Sequence, residues 1–244
     1  HKLKPGECIR IFTGAPVPEG CDAVLMQEDA ERNGDEMTVT ARGPVVVGQH
    51  IRRRGGDVED GSVLVRAGTV LTPGEIGLLA SCGRSGVLVR RRPRVAIVST
   101  GHELIYIDEK PAPGQIVNSN GLVLTNMVRR AGAEPTQFAI VPDTRQAHHE
   151  AFDRAERYDV ILTSGGVSVG DHDLIQPVLD ERGWNREFWK VAMKPGKPVL
   201  CGTLKSGSIF LGLPGNPAST MVSFELFGRP LLRALQGHPR PYRC

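Results

Sequence analysis

Residues 158–173 constrain this chain most. An apolar run from Tyr158 to Leu162 stops at Thr163 and Ser164 and continues as Gly165-Gly166-Val167-Ser168-Val169-Gly170-Asp171-His172-Asp173. A buried strand that empties into small residues lets a ligand approach the backbone, and N–H groups exposed in a glycine turn attract phosphate. In an α/β sheet such loops lie at the carboxyl ends of the strands. The alternative is a plain strand-to-helix turn. The segment is longer and more polar than such a turn requires, which points to an anion site.

The surroundings support an α/β sheet. After Pro93, apolar strands alternate with helical periodicity. Arg94–Thr100, Phe138–Val141 and Asp159–Thr163 read as strands, and Glu187–Met193, Pro198–Leu204 and Ile209–Leu213 as extended segments. Asn118–Ala131, Arg145–Arg157 and Leu174–Arg182 read as helices. A last helix begins with Asn216 as its cap and Pro217 in its first turn. This alternation predicts a three-layer, mostly parallel sheet with helices on both faces.

Before Pro93 the chain reads as small β-rich subdomains. Strands are expected at Cys8–Phe12, Ala23–Gln27, Met37–Thr40, Val63–Val65 and Gly86–Arg90, with a hairpin turn at Asn33-Gly34-Asp35. A short helix is expected from Pro73 to Cys82, closed by Gly83. The expected divisions are 1–47, part of a β-rich domain; 48–92, part of an elongated linker domain; 93–236, the α/β domain; and 237–244, the start of a further β domain. The chain begins with His1 and reads as a piece of a longer protein.

Charge and cysteines narrow the function classes. A net charge of +3 over 244 residues argues against nucleic-acid binding, and Arg52–Arg54 and Arg90–Arg92 lack interleaved aromatics. The five cysteines are scattered without a CxxC pair, which fits neither a disulfide framework nor a zinc site and agrees with a cytoplasmic protein. No run reaches membrane-spanning length. Walker loops and GxGxxG fingerprints are absent.

Four loops concentrate polar residues. Ser99-Thr100-Gly101-His102-Glu103 follows the first strand of the α/β half, and Glu103 is either a site carboxylate or a helix-start acid. Asp143 follows the next strand and Asp173 ends the glycine loop. Each is a site acid or, with Gln146 and Gln176 respectively, half of a capping box. Three carboxylates converging on one sheet edge repel one another unless a proton or a cation such as Mg²⁺ lies among them. In Trp189–Pro198, Lys190 and Lys194 lie an even number apart on an extended segment and so share a face, while two prolines and a glycine present Lys197. Such lysines suit an oxyanion. Gly212-Leu213-Pro214-Gly215-Asn216-Pro217 opens the last helix as a second anion cradle. His148-His149 has no metal-spaced partner and is assigned to the surface.

These segments together resemble the molybdopterin molybdenumtransferase family, MoeA and the E domain of gephyrin. The resemblance rests on RIFTGAPVPEGCDAVLMQED (10–29), RVAIVSTGHEL (94–104), GQIVNSN (114–120), DVILTSGGVSVGDHD (159–173), WKVAMKPGKP (189–198) and GLPGNPAS (212–219). TSGGVSVGD is shared with related molybdopterin-binding proteins. The combination of TGAPVP, MKPGKP and GLPGNP is specific to the family.

The resemblance implies a MogA-like molybdopterin-binding domain and an activity in molybdenum cofactor biosynthesis. Adenylylated molybdopterin and molybdate would be the substrates, AMP would be lost, and Mg²⁺ would be required. It places Glu103, Asp143 and Asp173 on active-site acids, with Asp173 and Glu103 as metal ligands. Lys190 and Lys194 fall on anion-binding lysines, and Thr13 on a residue brought to the site from the β-rich domain. Ser164, Gly165, Gly166, Ser168, Gly170, Pro214, Gly215 and Asn216, with Lys197, fall on the pterin-phosphate loops. It further implies a homodimer, with an adenylyltransferase and molybdoenzymes as partners.

Two departures stand out. His102 occupies a position where the family commonly has Asp, and either weakens metal binding or adds a pH-sensitive group. The family's catalytic unit is also larger, with a preceding MDGYA segment and a C-terminal β domain. Two other readings remain: a molybdopterin adenylyltransferase, which the β-rich residues 8–92 disfavour, and a non-catalytic scaffold.

Overall fold

A computed structural model describes residues 2–40, 43–167 and 173–242. The elements are β1 (Ala30–Asn33), β2 (Glu36–Val39), α1 (Pro73–Ser81), β3 (Arg94–Ser99), β4 (Leu104–Ile105), β5 (Ile116–Val117), α2 (Ser119–Arg130), β6 (Glu134–Gln137), α3 (Arg145–Ala155), β7 (Val160–Ser164), α4 (Ile175–Glu181), β8 (Asn185–Trp189), β9 (Leu200–Thr203), β10 (Ile209–Leu213), α5 (Pro217–Ser223) and α6 (Arg229–Leu235). The chain divides into two units, 1–66 and 67–244.

In the first unit β1 and β2 form an antiparallel hairpin across Gly34-Asp35, with Gly34 at φ +61°. The segments 8–12 and 23–27 carry no strand, against the sequence reading, nor do 63–65 and 86–90. A short apolar run becomes a strand only beside a partner, and only β1 and β2 lie two residues from one.

The second unit holds a six-stranded sheet in the order β6-β3-β7-β10-β9-β8. The first four strands are parallel, and β9 and then β8 reverse direction in turn. Alternate residues of each central strand enter opposite cores. Val95, Ile97, Val160, Leu162, Leu211 and Leu213 face α2 and α6 residues such as Leu124, Val128 and Leu232. Ala96, Val98, Ile161 and Phe210 meet Phe152 of α3 and Ile175, Val178 and Leu179 of α4. Burial on both faces is why these strands read as unbroken apolar runs.

The strand expected at Phe138–Val141 lies earlier, at β6. Glu134-Pro135-Thr136-Gln137 lacks an apolar run, but β6 is an edge strand, where a proline and polar side chains are tolerated and block further pairing. Local signals held elsewhere. Thr72 and Glu75 form a full capping box on α1. Asn216 caps α5 by accepting from the Ala218 and Ser219 N–H groups at 3.1 and 3.3 Å. Between α5 and α6 the helix widens to π geometry over Phe224–Gly228. Pro230 has no N–H to return to the preceding turn, and Arg229 N–H reaches back to the Phe224 carbonyl instead. His148, assigned to the surface, is buried, with Nδ1 2.9 Å from the Thr144 carbonyl oxygen. Helical spacing puts it on the face of α3 that carries Phe152.

Asp159 pins the start of the sheet. Its oxygens accept from the Arg91 guanidinium at 2.5 and 2.6 Å and from Arg94 N–H at 2.7 Å. The bidentate Arg91 contact holds the carboxyl below its ordinary range. A depressed folded-state pKa means stability that is present at neutral pH and lost as pH falls through that value. Asp159→Asn is therefore expected to cost about 1–3 kcal/mol at pH 7. Its deficit against the wild type should shrink below pH ~4. Urea unfolding at pH 7 and pH 3 measures both.

Candidate functional site

The four parallel strands end on one rim. Ser99, Ser164 and Leu213 are register partners at the ends of β3, β7 and β10, and Thr100 bridges Val141 beyond the end of β6. Because β8 runs opposite to β9, and β9 opposite to β10, Trp189 ends at this rim too. The chain leaving β3 proceeds to α2 on one face of the sheet, and the chain leaving β7 to α4 on the other. Adjacent strands whose helices part in this way open a crevice at their carboxyl ends, the usual ligand position in such sheets.

The glycine loop begins at this crevice. Gly165 and Gly166 have φ of +89° and +67°, and a Cβ on Gly166 would stand 2.5 Å from Ile175 Cδ1 and 3.1 Å from Thr100 Oγ1. Only glycine fits there. Gly165 N–H donates to the Leu213 carbonyl at 3.1 Å, tying the β7 loop to the β10 loop. Ser168 and Gly170 lie outside the described residues.

The three acids occupy separate loops of this rim. Glu103 folds its carboxylate over Gly101, where a Cβ would come within 2.5 Å of Oε2. Asp143 Oδ2 accepts from His102 N–H at 3.0 Å and lies 2.7 Å from His102 Nδ1. A carboxylate can only accept, so Nδ1 carries the proton in that contact. The loops of Glu103 and Asp143 are thus joined through His102. Asp143 is not the cap of α3. Thr144 takes that place, extended at φ −126° and accepting from Ala147 N–H at 3.3 Å. Asp173 is not the cap of α4 either. Leu174 stands at the cap position, and Asp173 Oδ1 accepts from Ile175 N–H at 3.3 Å, beside the residue that packs under Gly166. Among the described residues no three His, Cys, Asp or Glu side chains gather as a metal cage.

Lys190, Lys194 and Lys197 are all exposed. The loop that carries them is closed at its base by Lys190 N–H to the Val199 carbonyl and Val191 N–H to the Lys197 carbonyl, both 2.9 Å. Lys190 has φ +67°, so the backbone is not extended there and the expected shared face with Lys194 does not follow from strand alternation. Its ammonium lies 3.9 Å from the centroid of the Trp189 ring. Gly196 seats the loop on α5, since a Cβ there would stand 2.6 Å from Ser223 Oγ. Pro214 and Gly215 carry the chain from β10 to Asn216, whose side chain is occupied by capping. Thr13 belongs to the first unit, exposed in a turn closed by Ala15 N–H to the Phe12 carbonyl at 3.0 Å.

One residue at the rim had no place in the sequence reading. Asn120 Nδ2 donates to Ser164 Oγ and to the Gly215 carbonyl, both at 2.7 Å. A signal was available: Asn118 already caps α2 by accepting from Gly121 N–H, so a second asparagine two residues on has no helical task.

Comparison with known proteins agrees with this geometry. Residues 96–234 match a family described as "Probable molybdopterin binding domain", and residues 1–83 match the MoeA N-terminal region, domains I and II. The molybdopterin molybdenumtransferase of Nostoc sp. is 41% identical over 96% of this chain and 54% of its own length. That of Haemophilus influenzae is 40% identical over 94% and 56%. A crystal structure of the molybdopterin biosynthesis MoeA protein of Pyrococcus horikoshii superposes with a TM-score of 0.78 at 34% identity, over 97% of this chain and 59% of that one. The chain thus spans a little over half the length of these relatives. On likeness that runs through both units, it belongs to the molybdopterin molybdenumtransferase family.

Proposed function

We propose that this chain carries the pterin-binding part of an enzyme that inserts molybdate into adenylylated molybdopterin, releasing AMP and leaving molybdenum on the dithiolene. The observation that carries the proposal is the rim itself. Glycine turns built for close backbone approach, three carboxylates and exposed lysines all follow strand ends that share one edge. Residues 93–236 would form the molybdopterin-binding domain, in line with the family match over 96–234.

The division of labour follows from charge. Molybdopterin-adenylate and molybdate are both anionic, and compact lysine ammonium groups are suited to their oxygens. Lys190 and Lys194 would hold the oxyanions, with Lys197 on the pterin phosphate. Ser164, Gly165 and Gly166, small enough to let the phosphate approach the backbone, and the Pro214-Gly215-Asn216 turn at the start of α5 would line the phosphate, as would Ser168 and Gly170. Asp143, held by His102, would position the water that cleaves the adenylate.

A magnesium ion fits this donor set. Mg²⁺ needs one or two carboxylates with substrate phosphates and water, not an all-protein cage. Glu103 and Asp173 would hold it, because the Oδ2 of Asp143 is already engaged by His102. When bound, the ion would supply neutralising charge at the phosphoanhydride. The working unit would be a homodimer that receives its substrate from an adenylyltransferase and passes its product to molybdoenzymes. A cytoplasmic setting accords with the four described cysteines, all free. No described helix is long and apolar enough to cross a membrane.

The test is turnover in vitro with adenylylated molybdopterin, Mg²⁺ and molybdate, reading AMP release and reconstitution of a molybdoenzyme. Formation of the adenylate from molybdopterin and ATP would contradict the proposal and favour an adenylyltransferase. In the full-length protein, Asp173→Asn is expected to lower cofactor formation by about 10²–10³-fold while molybdopterin binding largely survives. Normal insertion by that variant would remove Asp173 from the mechanism. Lys194→Ala should likewise suppress cofactor formation, with the loss appearing in the molybdate dependence of the rate. A molybdate titration curve equal to the wild type's would count against an oxyanion role.

A further inference from the structure

We propose that Asn120 is a positioning residue, holding the β7 and β10 loops at the separation one ligand needs to span both. This rests on the function proposed above and adds a residue to it.

The geometry is a three-way junction. Both amide hydrogens of Asn120 are engaged, one by Ser164 Oγ and one by the Gly215 carbonyl, each at 2.7 Å. A carbonyl oxygen accepts and never donates, so the Gly215 contact fixes which end of the amide faces the loops. The partners lie 44 and 95 residues away in sequence, one on each loop. The loops touch, since a Cβ on Gly215 would stand 3.6 Å from Gly165 Cα. Apart from Asn120, their direct tie at the crevice is Gly165 N–H to the Leu213 carbonyl.

Two further facts separate this from ordinary helix capping. Asn118 already serves as the cap of α2. The Asn120 Oδ1 atom is buried and makes no hydrogen bond. An orphaned buried acceptor is unfavourable by itself. It is tolerated here because the donor end of the same amide is required by both loops. Ser99, the register partner of Ser164, also buries its hydroxyl without a partner. Asn120 is the side chain that bonds to both loops at once. A ligand touching both loops binds better when they are ordered in advance, because it does not have to order them itself.

Asn120→Asp keeps the shape of the side chain, can still accept from Ser164, and has nothing to donate to Gly215. In the full-length protein its KM for adenylylated molybdopterin is expected to rise about tenfold or more, with kcat at saturation changed less than about threefold. Hydrogen exchange at Gly165 N–H, measured without ligand, should accelerate by about tenfold. Asn120→Ala provides a second variant free of added charge, and thermal unfolding establishes that each variant is folded. An unchanged KM in a folded variant, or a loss confined to kcat, overturns the inference. So does unchanged exchange at Gly165. Wild-type protein that neither binds nor turns over the adenylate would instead overturn the functional proposal, and the exchange measurement would still decide whether Asn120 holds the loops.

Discussion

The parallel pairing of β3, β7 and β10 is the constraint on which everything else in the second unit depends. Each strand buries both faces, so a slip of one residue in register would exchange the side chains meant for the α2 side with those meant for the α3 side. That cost locks Ser99, Ser164 and Leu213 into one row. The loops that follow must then start side by side. The crevice between them comes from strand direction and helix placement, and needs no strain of its own apart from the left-handed glycines.

What the rim does with charge follows from that row. Parallel strands bring Glu103, Asp143 and Asp173 to one edge, and the reversals at β9 and β8 bring Lys190 there as well. The acids are not equivalent. Asp143 is engaged by both the backbone and the ring of His102, Asp173 turns back to the N–H of Ile175, and Glu103 lies over Gly101. His102 sets a donor, from its backbone and its ring, beside Asp143.

Much of this was legible in the sequence because the signals were local. The apolar runs of β3, β7 and β10, the Thr72–Glu75 box and the Asn216-Pro217 helix start each need only a few consecutive residues to be recognised. What was missed depends on partners distant in sequence. The edge strand β6 is polar because nothing pairs beyond it. Asp143 and Thr144 are both good caps, and His102, 41 residues away, decides between them. The left-handed backbone of Lys190 breaks an alternation that its neighbours suggest. Asn120 reaches two loops that no short window contains. The site acids and glycine loops could be named in advance, but the ties between them could not.

The proposed ligand position, across the carboxyl ends of β3, β7 and β10, is open to direct observation. It is tested most directly by the crystal structure of the full-length protein with adenylylated molybdopterin bound. The pterin phosphate is expected against Gly165 and Gly166, with the same molecule reaching the Pro214-Gly215 turn. Density for the ligand elsewhere, such as the hollow lined by Phe138, Arg154 and Tyr158, with the glycine loops untouched, would contradict it.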